Sequence, residues 1–73
     1  MITNARAAKL ISDSMLGICS QIEQSLDDLK EISSPEDFAR YHKAIGKVVA
    51  PIMFEVLEPL YEEHPDLKPP GWD

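Results

Sequence analysis

The residues of this chain that could do chemistry are few. Ser25, His42 and Asp28 are the types of a nucleophile, a base and an acid. If the chain folds as an antiparallel helical pair, His42 faces Ser25, and Asp28 lies one turn from Ser25. Catalysis would also need an oxyanion site and a pocket, and a thin hairpin promises neither. The expectation is a flank histidine sharing a hydrogen bond with a serine, and no catalytic residue. A bundle di-metal centre needs Glu-x-x-His pairs on facing helices. Glu62-Glu63-His64 has the wrong spacing and lies at a helix end. Met15, Met53, His42 and Cys19 are types that ligate haem or copper, but single Met and His residues on apolar faces read as packing. Gly17, Gly46 and Gly71 are isolated, so no glycine-rich phosphate loop is present. No metal and no cofactor is expected.

The remaining candidate chemistry is recognition. Glu55, Glu58, Glu62 and Glu63 gather at the end of an apolar stretch beside Phe54, Leu57 and Tyr61, against the dipole of their own helix. Such a patch suits a basic protein partner. The net charge of −6 and a pI near 4.7 argue against nucleic acid, whose phosphates demand a Lys/Arg footprint. The longest uncharged run in the apolar stretch, Val48 to Phe54, is far short of the roughly 20 residues a membrane helix needs. A single cysteine excludes an internal disulfide framework. Asp13 interrupts the apolar segment after Arg6 and Lys9, and Ile18 stands where an export signal wants a small residue before Cys19. The expected setting is a reducing cytoplasm with Cys19 a free thiol.

Two helices must position these groups. The first should start at Thr3 or Asn4, both good N-caps. Ile11, Met15, Ile18, Ile22, Leu26 and Leu29 then hold one helical face to about Ile32. Ser33-Ser34-Pro35-Glu36-Asp37 is a helix start, with Ser34 as N-cap, Pro35 in the first turn and two acids on the dipole. The second helix should run from Pro35 to about Glu63, carrying Phe38, Tyr41, Ile45, Val49, Ile52, Val56 and Leu60 inward. Pro51 and Pro59 each remove a ladder hydrogen bond. The apolar stripe keeps its phase across Pro51, so a kink is expected there; the alternative is a third helix beginning at Pro51. From His64 onward three prolines and a glycine predict an extended, polyproline-like tail. The expected division is a helical hairpin over residues 1–64 and a Pro-rich tail over 65–73.

The fold expectation is therefore all-α, an antiparallel two-helix hairpin. With the turn between Ser33 and Ser34, facing residues have numbers summing to about 67. Ile18 then meets Val49, Ile22 meets Ile45, and Gly17 faces Ala50 in a close crossing. Asp27 falls opposite Arg40, Glu23 near Lys43 and Lys47, and Arg6 and Lys9 near Glu62 and Glu58. A second stripe, Ala50, Phe54, Leu57 and Tyr61, with Met53 bridging and Leu16 and Cys19 flanking, should stay uncovered. A helix apolar nearly all round is buried on several sides. Self-pairing of that stripe into a four-helix bundle is the expected solution. Trp72 is expected either to anchor another protein or to fold back over apolar surface.

The function expected is thus a small acidic, non-enzymatic protein–protein interaction module, a homodimeric adaptor or regulator. The first alternative is an inhibitor of the immunity or antitoxin kind, masking a basic partner. The second is a small-ligand or metal carrier with a site between the helices. The hairpin is similar in architecture to the small dimeric RNA-binding hairpins of plasmid copy control. The acidic charge opposes that function and no motif matches, so the likeness stops at architecture.

Overall fold

A computed structural model describes residues 2–72; Met1 and Asp73, the outer ends of the two expected segments, lie outside the described residues. The described chain is all-helical, two helices with the second joined through a kink. Helix α1 spans Ala5–Ile32. Asn4 caps it, its side chain accepting the Ala7 N–H at 2.9 Å, which satisfies one of the free donors of the first turn. Helix α2, Pro35–Pro51, starts as the Ser-Pro-acid pattern requires, with the Ser34 hydroxyl accepting the Asp37 N–H at 3.2 Å.

The kink has a specific form. Residues Ile52–Leu57 make a π-helical segment, and helix α3, Glu58–Glu63, continues from it. Pro51 has no N–H for the Lys47 carbonyl, and the ladder tightens there to an Ile52 N–H bonded to the Val49 carbonyl. Pro59 can give nothing to the Glu55 carbonyl and its ring would strike it. Widening the turn relieves that conflict: the Glu58 N–H reaches five residues back, to the Met53 carbonyl.

A π turn holds one residue more than an α turn, so everything after it rotates by about 100°. Leu57 and Tyr61 were expected on an uncovered stripe. They are instead 0% and 1% exposed, buried with Leu60, Ala8 and Ser12 where α3 meets the start of α1. This is the core, and it sits at one end of the hairpin. The Ser12 and Tyr61 hydroxyls share a buried hydrogen bond of 2.6 Å across it. Near the turn, Tyr41 donates to the Ser25 Oγ at 2.7 Å, because that hydroxyl already donates to the Ile22 carbonyl at 2.7 Å. Ser25 with Tyr41, and the 2.6 Å hydrogen bond from His64 Nε2 to the Ile2 carbonyl, keep the antiparallel register near the expected pairing. Since a carbonyl only accepts, His64 carries its proton on Nε2.

Other expectations fail. Gly17 is exposed, and a Cβ placed there would meet nothing within 4 Å, so no close crossing with Ala50 explains it. Ile18 is 40% exposed, so the hairpin covers it only in part. Among the described residues none of the proposed cross-helix ion pairs forms; Lys9 pairs along its own helix with Asp13 at 3.0 Å. Such exposed side chains lose more freedom than an aqueous ion pair returns.

Nor is the tail extended. Pro65–Leu67 is a 3-10 turn. The Trp72 N–H then bonds the Pro69 carbonyl at 3.1 Å, with Gly71 at φ 81°. That is a type II turn, Pro at its second position and Gly at the third, where positive φ is required. It returns Trp72 to the core, edge-on to Tyr61 with ring centroids 4.9 Å apart.

Candidate functional site

Below the core an apolar groove of about 380 Å³ runs between the two helices. One wall is Leu16, Cys19, Glu23 and Leu26 of α1, at spacings of three, four and three. The other is His42, Gly46, Val49 and Met53, at four, three and four. Each set is one face of a helix. Ile22 and Ile45 form the floor, and Leu57 with Trp72 closes the end beneath the core. The groove exists because Ile22, Ile45 and Val49 are only half-buried by the hairpin itself.

The expected partner-binding residues divide into three groups. Leu16, Cys19, Met53, Leu57 and Trp72 line the groove. Phe54, 65% exposed, stands outside it, with Ala50 half-buried near by. Glu55, Glu58 and Glu62 are exposed on the outer surface, while Tyr61 lies under Trp72 and is withdrawn from any surface. The half-buried walls that had been assigned wholly to the hairpin core, Val49 and Leu26 above all, belong to the groove as well. So do Gly46, Glu23 and His42. Their three-and-four spacing was readable, but it was hidden behind the more apolar stripe next to it.

The chemistry sketched around His42 is not assembled. His42 stacks on Phe38 with ring centroids 5.9 Å apart. Ser25 is held by Tyr41, and Asp28 accepts from Gln24 Nε2 at 3.0 Å. Among the described residues no three His, Cys, Asp or Glu side chains gather as a metal site, and no helix is long and apolar enough to cross a membrane. Cys19 is a free, half-buried thiol. Burial, and then the Glu23 carboxylate one turn on, push its pKa up, so the unreactive thiol form is favoured. The groove's polar groups thus sit on its rims, and its surface is suited to apolar contact. No family model, curated protein or solved structure matches this chain.

Proposed function

We propose that this chain is a small acidic, non-enzymatic protein–protein interaction module, working as a homodimeric adaptor or regulator, whose docking face is the groove and the Phe54 side of the second helix. The observation that carries this reading is the mismatch between the chain's size and its shape. A compact 73-residue chain has a radius of gyration near about 11 Å, whereas this one has 14.5 Å and extents of 45 × 20 × 17 Å. Its 5421 Å² of accessible surface is about 900 Å² more than a compact protein of 8.2 kDa presents. The open groove and the exposed Met53 and Phe54 belong to that surface. An open apolar groove with exposed Phe54 beside it has the character of an interaction site.

Light scattering over a dilution series, on wild type and on Phe54→Glu, tests the reading. Wild type should self-associate, and the substitution should weaken it without loss of helical circular dichroism. A wild type that stays monomeric and folded at high micromolar concentration removes self-association from the proposal. Equal association of Phe54→Glu places the interface away from the second helix.

One observation favours a second reading. Glu55, Glu58 and Glu62 are all exposed and follow exposed Phe54 in the chain, the composition of an inhibitor that masks a basic partner. That partner would be captured in a salt-sensitive way, and a triple Gln substitution would release it. A small apolar ligand copurifying in the groove, seen by native mass spectrometry, would instead support the carrier reading.

A further inference from the structure

Beyond the acids of its first turn, Glu36 and Asp37, the second helix carries two blocks of charge about its middle. Arg40, Lys43 and Lys47 precede its middle, and Glu55, Glu58 and Glu62 follow it, all of them exposed. Among the described residues, Lys43, Lys47, Glu55 and Glu58 have no ion-pair partner. Between the blocks lies half-buried Ala50. Four residues before it, Gly46 is open, with nothing within 4 Å of an added Cβ. Four residues after it stands Phe54, 65% exposed. We infer that the occupant of the docking face is a second copy of this chain, its second helix crossing the first copy's antiparallel about a two-fold axis at Ala50. This inference rests on the docking reading above and specifies it.

With the axis at Ala50, every pairing occurs twice by symmetry. Phe54 of one copy falls opposite Gly46 of the other, a large exposed side chain over the one place on the groove wall without one. The lysine block, Lys43 and Lys47, then lies along the partner's acidic block, Glu55 and Glu58. A parallel pairing would instead set each block against its like. The helix is therefore complementary to itself in one direction only. Gly46 and Ala50 at the crossing let the two backbones approach to the near end of the about 8–10 Å range of packed helices. A basic partner would complement the acidic block and leave the lysine block facing like charge. A second copy satisfies both.

The test uses two surface variants of the full chain, Lys43→Glu/Lys47→Glu and Glu55→Lys/Glu58→Lys, with helical content checked by circular dichroism. Sedimentation equilibrium at low salt should show self-association of each weakened by about tenfold or more. An equimolar mixture should recover wild-type affinity, since each variant then meets its opposite. The difference should shrink as salt is raised. A wild type that dimerises while both variants dimerise equally well, or a mixture no tighter than its parts, overturns this pairing and leaves self-association through another face standing. A wild type that never associates overturns both.

Discussion

Ser12 and Tyr61 each depend on the other. Ser12 is 2% exposed, and among the described residues the partner that reaches its hydroxyl from the other helix is the Tyr61 oxygen at 2.6 Å. Tyr61→Phe keeps the ring against Trp72 but leaves a buried hydroxyl facing carbon. Its cost should be about 1–3 kcal/mol, the desolvation left uncompensated. Ser12→Ala should cost a similar amount from the opposite side, while the double substitution should restore much of the loss. Thermal unfolding followed by circular dichroism measures all three. A double variant as unstable as the two singles added together would mean that the pair is not a unit. Gly71 shows the other way in which one residue decides a contact. At φ 81° it holds the turn that brings the chain's single tryptophan back onto Tyr61, and an L side chain there costs about 1–2 kcal/mol.

At the scale of elements, the ends of the helices were legible and the middle of the second was not. Asn4 and Ser34 cap where side-chain chemistry says they should, because capping is a local bargain between one oxygen and nearby N–H groups. The type II turn of Pro69-Pro70-Gly71-Trp72 is also local, but the proline density around it points to extension instead. The π turn is different: it answers a conflict between Pro59 and the Glu55 carbonyl that sequence periodicity at 100° per residue does not represent. One extra residue there puts Leu57 in place of Val56 on the inward face and carries Tyr61 into the core, so the second stripe does not stay whole. The groove was legible as spacing, at 16-19-23-26 and 42-46-49-53, but its openness depends on how the helices pack. The register makes a sharp prediction. Deleting Glu55 together with Pro59→Ala should turn the π segment into ordinary α-helix and leave Leu57, Leu60 and Tyr61 facing inward. Helicity and the emission of Trp72 should be those of wild type. In a continuous α-helix the same deletion would turn the last segment by about 100° and break the core, so a molten variant would refute the π assignment.

The whole molecule is a rod whose fully buried hydrophobic residues, Ala8, Leu57, Leu60 and Tyr61, cluster at one end. From the groove to the Ser33-Ser34 turn, the helices are held by half-buried side chains and the Ser25–Tyr41 hydrogen bond. A core this small supplies at most about 3–5 kcal/mol. If a second copy covers the groove, stability becomes a function of concentration, because association stabilises only the folded chain. A hundredfold dilution then removes about 2.7 kcal/mol per dimer. Spread over the unfolding entropy of two such chains, that lowers the Tm by on the order of 10 °C. Scanning calorimetry from micromolar to hundreds of micromolar reads this directly, and Phe54→Glu should flatten the dependence at a Tm near that of the dilute wild type. A Tm independent of concentration would mean that the single end-cluster holds the rod unaided, and that its long apolar groove is stable in water with nothing in it.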